Sequence, residues 1–307
     1  MSEKVEVSSY SNLTDGYRKF SYTVINAGLD HGHCKEIVDS AEKEIYNRKI
    51  ENHNLSKGLN ELADKIERNK INSLTTSQKL DEIFKSITHY ELHPEMIPWV
   101  GKDYFKQDFK VLLLGESHYL KKDTTYHHDL DDWYDGVRKG VKNDTAGIKT
   151  REILQNFLTG KSKTIYRNTE LALKETEYFS SHIKSPYTMV SFMNFFQRPA
   201  EVSGNSIKVF PKDVEISSKV LTEVIKVLMP DVVGFTSSLA FDAAKKGNAT
   251  FFLKDKKVLF FRTSLPATAW WNNKNKKYKN ATGREHFITC LNKFSRQRIT
   301  RASSGRR

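Results

Sequence analysis

Cysteine is nearly absent from this chain: Cys34 and Cys290 are the only two in 307 residues. A pair of thiols cannot supply a disulfide framework, a four-cysteine metal site or an iron–sulfur cluster. Long apolar runs are missing as well. No stretch approaches the roughly 20 residues that span a bilayer, so no membrane partner is expected. The opening Met1-Ser-Glu-Lys-Val-Glu6 has no signal-peptide core. A reducing, cytoplasmic setting fits these absences. Acidic residues are also in deficit, with Lys and Arg at 50 against 37 Asp and Glu, a net charge of +13. Such an excess implies a polyanionic partner, nucleic acid first and an anionic membrane surface second.

What remains is ordinary for a globular protein, with 38% hydrophobic and 28% charged residues. The length suits one large domain with an accessory segment. The positive charge is uneven. Lys254, Lys256, Lys257, Arg262, Lys274, Lys276, Lys277 and Lys279 face the single acid Asp255 over that stretch, and Arg296, Arg298, Arg301, Arg306 and Arg307 follow near the end. A solvated basic face is the plain reading of such a run. Here Trp270, Trp271 and Tyr278 lie inside it. Cations that track phosphates, mixed with aromatics that stack on bases, suit single-stranded or flipped nucleotides.

Texture divides the chain. Residues 1–105 read as a polar, helical accessory region, with apolar spacing over 34–49, 55–66 and 80–87, and Ser73 or Thr75 as caps for the third helix. From residue 106 to 296 strands and helices alternate, and 297–307 reads as a basic tail. Expected strands are Phe109–Leu114, Tyr187–Phe192, Pro230–Phe235 and Lys257–Phe261. Helices are expected over Thr145–Leu158, Ile216–Met229, Ser238–Lys246 and Gly283–Phe294. The alternation predicts an α/β fold, a parallel four-stranded sheet flanked by helices.

Chemistry gathers where these strands end. Val111-Leu-Leu-Leu114 reads as a strand buried on both faces, and it runs into Gly115, Glu116, Ser117, His118 and Tyr119. In open α/β sheets ligands bind beyond the carboxyl ends of strands. The second strand leads to Asn194, then Gln197-Arg198-Pro199. The third leads to Thr236-Ser237-Ser238, a helix cap, and the fourth to Arg262-Thr-Ser-Leu-Pro266 and the tryptophan pair.

In motif order and spacing, the stretch from Trp99 to Phe294 resembles the uracil-DNA glycosylase superfamily. Gly115-Glu-Ser-His-Tyr-Leu120 stands where that family carries Gly-Gln-Asp-Pro-Tyr-His or Gly-Glu-Ala-Pro-Gly. Met193-Asn-Phe-Phe-Gln-Arg-Pro199 is similar to its strand ending in Asn followed by Arg-Pro. Two positions depart from the family: Ser117 replaces its Asp, and Arg262-Thr-Ser-Leu-Pro266 lacks the histidine of its His-Pro-Ser motif.

The resemblance implies a DNA glycosylase that flips a damaged or modified base and hydrolyses its N-glycosidic bond. The departures point away from plain uracil and toward a modified base, such as one in foreign phage DNA. Bond cleavage builds positive charge on the sugar, which the Glu116 carboxylate can stabilise, or it can activate water. His118 is expected to stabilise the departing base. Ser117, Tyr119 and Asn194 are the expected base-binding residues, with Tyr119 a pocket wall by resemblance and Asn194 reading the base edge. Arg198, Arg262, Ser264 and Lys274 are expected to hold DNA phosphates, and Trp270 or Trp271 to fill the gap left by the base. No metal and no cofactor is expected.

Two other readings stay open at this point. A metal-dependent nuclease would gather Glu116 and His118 with His127, His128, Asp129, Asp131, Asp132 and Asp135; those acids also suit the first turn of a helix. His31-Gly-His33-Cys34 offers too few spaced ligands. A catalytically silent nucleic-acid-binding module would keep only the fold.

Overall fold

Four consecutive side chains, Val111 to Leu114, have no solvent exposure at all, so the strand they form is covered on both faces. A computed structural model describes residues 77–122, 124–137, 145–161, 163–182, 184–249 and 258–304, without the side chains of 77–79 and 299–304. The chain divides into two units, Met1–Phe84 and Lys85–Arg307. Of the first, the described part is residues 77–84, in helix α1 (Ser77–Lys85). The expected helices over 34–49 and 55–66, the caps Ser73 and Thr75, and His31, His33 and Cys34 lie outside the described residues.

The second unit is built on a sheet of five strands: β1 (Trp99–Val100), β2 (Val111–Gly115), β3 (Ser191–Asn194), β4 (Val232–Phe235) and β5 (Leu259–Arg262). Their order is β1-β3-β2-β4-β5. Contacts among β3, β2, β4 and β5 are all parallel. The α/β class read from the sequence is therefore present, but the count of four strands is corrected to five. The extra strand pairs antiparallel with β3, Trp99 opposite Phe192. Two residues carry no alternation to read, and they fall inside the stretch assigned to the accessory region. The second unit reaches back to Lys85.

Among the described residues the unit also holds helices α2 (Thr88–Leu92), α3 (Leu130–Tyr134), α4 (Thr150–Leu158), α5 (Thr164–Lys174), α6 (Pro211–Leu228), α7 (Ser238–Lys246) and α8 (Gly283–Ser304). Side chains alternate across a strand, so Val111 and Leu113 share one face. They join Leu154 of α4, Leu173 of α5 and Phe287 and Leu291 of α8 in one core. Phe235 points to the other face, where it meets Phe241 of α7 edge to face. Burying this many large apolar side chains, each about 1.5–3 kcal/mol, dominates the stability of the unit. Among the described residues no helix is long and apolar enough to cross a membrane.

Element boundaries differ from the expected ones where caps override periodicity. Helix α6 starts five residues before the expected Ile216, at Pro211 in the first helical position, with Asp213 accepting from the Phe210 N–H at 3.0 Å. It stops at Met229, whose φ of 46° is left-handed, just ahead of Pro230. Helix α8 continues to Ser304, since no Gly or Pro interrupts it after Gly283; residues 297–304, read as a tail, prolong it. Helix α5 was not expected.

A buried ion pair ties the layers together. Arg198 has no exposure, and its Nε and Nη2 each donate to an Asp213 carboxylate oxygen at 2.9 Å. Asp213 also accepts from Tyr134 Oη at 2.7 Å. The remaining guanidinium hydrogens go to Glu201 Oε1 at 2.7 Å, the His127 carbonyl at 3.2 Å and the Lys208 carbonyl at 2.8 Å. Removing one member of a buried pair strands the other charge. Arg198→Met is therefore expected to lower stability by about 3–5 kcal/mol in urea unfolding. Adding Asp213→Leu recovers only part of it, because Tyr134 and Phe210 still lose their acceptor.

Candidate active site

Strand β2 lies between β3 and β4, and the chain leaves β2 and β4 in opposite directions. From β2 it passes to β3 through α3, α4 and α5; from β4 it passes to β5 through α7. The carboxyl ends of β2 and β4 therefore flank a topological switch point, the place where α/β sheets bind ligands. Glu116 follows β2 there and Ser237 follows β4. Ser237 Oγ donates to Glu116 Oε2 at 2.6 Å. The same serine oxygen accepts from the Ala240 N–H at 3.2 Å, capping α7. The positive end of α7 thus sits beside the carboxylate, an arrangement its dipole favours. Glu116 Oε1 has no hydrogen-bond partner among the described residues.

Asn194 comes from the other side of β2, in register with Gly115. A methyl group on Gly115 would lie 2.1 Å from Asn194 Oδ1, so only glycine lets the amide cover this strand end. The Asn194 side chain makes no hydrogen bond to another described residue, which leaves its donor and acceptor for a ligand. Beyond Asn194 the chain runs alongside the Glu116 segment. Phe195 and Phe196 donate their N–H to the Gly115 and Glu116 carbonyls at 3.1 and 2.9 Å, and Ala200 to that of His118 at 2.8 Å. Gln197 locks this run: its Nε2 reaches the Asn194 carbonyl at 2.8 Å, and its carbonyl accepts from Trp133 Nε1 at 2.8 Å.

Tyr119 is half-buried and donates to the Asn205 carbonyl at 3.1 Å. Burial, and next the charge of nearby Glu116, raise its phenol above the ordinary range. Ser117 Oγ is buried without a hydrogen-bond partner among the described residues. Glu116, Ser117, Tyr119 and Asn194, expected together from the sequence, are thus carried by two adjacent chain segments. Ser237, read only as a cap, joins them; the strand-to-helix cap is legible in the sequence, its second bond across the sheet is not.

Three expected site residues are placed elsewhere. His118, expected to act on the departing base, is 4% exposed, with Nε2 bound to Thr150 Oγ1 at 3.0 Å and a second bond to the Gly147 backbone. The bond to Thr150 fastens the motif to the start of α4. Arg198, expected on phosphate, spends its donors inside the protein. Trp271 is 1% exposed and packs on Phe287, whereas Trp270 is 56% exposed. Of the two tryptophans, Trp270 alone is left to meet a base.

The remaining contacts sit at the end of β5. Arg262 pairs with Asp242 at 2.5 Å on the surface and lies over the Phe241 ring. Ser264 Oγ donates to the Trp270 carbonyl at 3.0 Å, which holds that turn against Gly283. Lys274, Lys276, Lys277 and Lys279 are exposed beside it. The acidic loop resolves differently from a metal cluster: Asp129 caps α3 through the Asp131 and Asp132 N–H groups, both at 3.0 Å, and Asp131 pairs with Lys212. Among the described residues no group of three or more His, Cys, Asp or Glu side chains is placed to hold a metal ion.

No protein-family model and no curated protein matches this chain.

Buried histidines give the unit a pH signature. Burial, and next Lys163, bring His118 down to about 3, against the pull of the Gly147 backbone, which favours the protonated ring. Burial, and next His128, bring His127 down to about 4. His89 is shifted the same way, first by burial and then by His93. Unfolded, each takes up a proton near 6.5, which the folded state refuses. Stability is thus whole above pH 6.5 and falls as pH drops toward 4, by about 1.4 kcal/mol per pH unit for each histidine. Urea midpoints at pH 7, 6 and 5 measure the slope, and His118→Gln is expected to flatten it by about one proton's worth.

Proposed function

We propose that this chain is a DNA glycosylase, a divergent member of the uracil-DNA glycosylase superfamily, acting on a damaged or modified base. The observation that carries the reading is Glu116: a carboxylate at the switch point, with one oxygen fixed by Ser237, the other without a partner among the described residues, and the Asn194 amide on the neighbouring strand end. A carboxylate of this kind serves hydrolysis of an N-glycosidic bond. As the carbon–nitrogen bond breaks, the sugar gains positive charge and the base takes the electron pair. Glu116 stabilises the sugar cation or accepts a proton from the water that adds to its anomeric carbon. Asn194 reads the edge of the flipped base with one donor and one acceptor group. Ser117 and Tyr119 follow Glu116 in the same segment and are the further base-binding candidates.

DNA would be met along the turn after β5. Trp270 offers a stacking face, and Lys274, Lys276, Lys277 and Lys279 offer charge to phosphates; Arg262 and Ser264 border the same turn. With His118 buried, and with no histidine in Arg262-Thr-Ser-Leu-Pro266, the electrophilic help usual for uracil is missing. A modified base that leaves more readily, including one carried by foreign phage DNA, is the substrate class this supports.

Base release from DNAs bearing uracil, damaged and hypermodified bases, read by mass spectrometry with EDTA present, tests the proposal. Wild type is expected to free one base class, and Glu116→Ala to slow this by roughly 10²–10⁴-fold. Strand cleavage only after metal is restored, with no free base, would favour the nuclease. DNA binding indifferent to Glu116→Ala, without any product, would leave a silent binding module.

A further inference from the structure

The Glu116 side chain has three rotatable bonds, and a reacting carboxylate that samples them all loses rate to disorder. Across the switch point stands one hydroxyl that removes this freedom. We infer that Ser237 is a positioning residue for the proposed reaction: it holds Glu116 Oε2 so that Oε1 faces the substrate. This rests on the glycosylase reading of the site.

The direction of the bond is set by its neighbours. A serine hydroxyl has one proton to give and two lone pairs. The Ala240 N–H donates to Ser237 Oγ at 3.2 Å, so the serine proton is left for Glu116 Oε2, 2.6 Å away. Ser237 itself is 2% exposed, out of competition from bulk water. Its backbone is pinned to the strand that carries Glu116: Thr236 N and Oγ1 both donate to the Leu114 carbonyl, at 2.8 and 2.9 Å. Leu114, Thr236, Ser237 and Glu116 thus close a ring across two parallel strands. The side chain gripped at its far end is anchored, through that ring, to the strand from which it grows.

A cap alone would affect only stability, so the test reads catalysis and coupling. Single-turnover base release is measured on the DNA that wild type acts on, beside affinity for the same duplex carrying an abasic analogue. Ser237→Ala is expected to slow release about 10- to 100-fold with affinity unchanged within about twofold. Loss of the cap lowers the melting temperature by about 2–4 °C. Ser237→Thr keeps donor and cap and restores the rate. In a Glu116→Ala background, Ser237→Ala adds no further loss, because the serine acts through the glutamate. Should Ser237→Ala fold poorly, Ser237→Gly serves, since glycine is a good cap without a donor. An unimpaired rate in Ser237→Ala or Ser237→Gly, or a full additional loss on top of Glu116→Ala, overturns the role. Wild type without base release from any DNA overturns the glycosylase reading and this role with it, whereas an active wild type beside an unimpaired serine variant overturns the role alone.

Discussion

A guanidinium removed wholly from water must have every donor matched, and Arg198 organises the second unit by that demand. Its partners come from four places: Asp213 at the start of α6, Glu201, the His127 carbonyl and the Lys208 carbonyl. Asp213 in turn draws in Tyr134 of α3 and the N–H before α6. Each of these chain segments would be free to settle differently on an apolar surface. Facing a charge that must be neutralised and a fork that accepts only planar geometry, they have one arrangement. The pair is a costly way to gain stability and an effective way to fix where loops sit.

The site inherits that order. Arg198 lies four residues after Asn194; the chain between them is bonded through its main chain to Gly115 and Glu116, and Ala200 just beyond it to His118. Gln197 turns that run back on Asn194, and Trp133 clamps Gln197. Asn194 therefore stands beside Gly115 without needing a partner for its own amide. On the opposite side of β2, Thr236 and Ser237 do the equivalent for Glu116. Two devices of different kinds, a buried ion pair and a capped helix start, converge on one strand end.

Legibility follows the length scale of each interaction. Strand β2 is plain because four apolar residues in a row, closed by a glycine, are too short for a helix and too uniform for a half-exposed strand. Helix α7 is plain because a cap, an apolar stripe and Gly247 agree over nine residues. The start of α6 is written in Phe210-Pro-Lys-Asp213, but apolar periodicity alone does not see it. Strand β1 has too little sequence to show itself. At the site, Glu116 and Asn194 can be placed because strand ends converge by topology. The fates of Trp270 and Trp271 cannot, since adjacent aromatics look alike until a one-residue turn sends one to Phe287 and the other to solvent. Arg198 misleads for a related reason. An arginine after a strand end suits phosphate as well as it suits Asp213, and the acid that claims it lies fifteen residues on.

Net charge says little until it is known which cations are already answered. On α8, Arg284, Arg296 and Arg298 face Glu175, Glu177 and Asp231, so the basic end of the chain is partly neutralised along its flank. Among the described residues, Lys274, Lys276, Lys277 and Lys279 have no such salt bridge. They occupy one turn, next to the exposed face of Trp270 and just past the carboxyl end of β5. Fields from fixed charges add at short range and are screened beyond about 8–10 Å in physiological salt. Among the described residues, this turn therefore concentrates positive charge that no salt bridge answers. The turn follows β5, whose carboxyl end lies on the same edge of the parallel sheet as those of β2 and β3, and a net charge of +13 by itself says nothing of such placement.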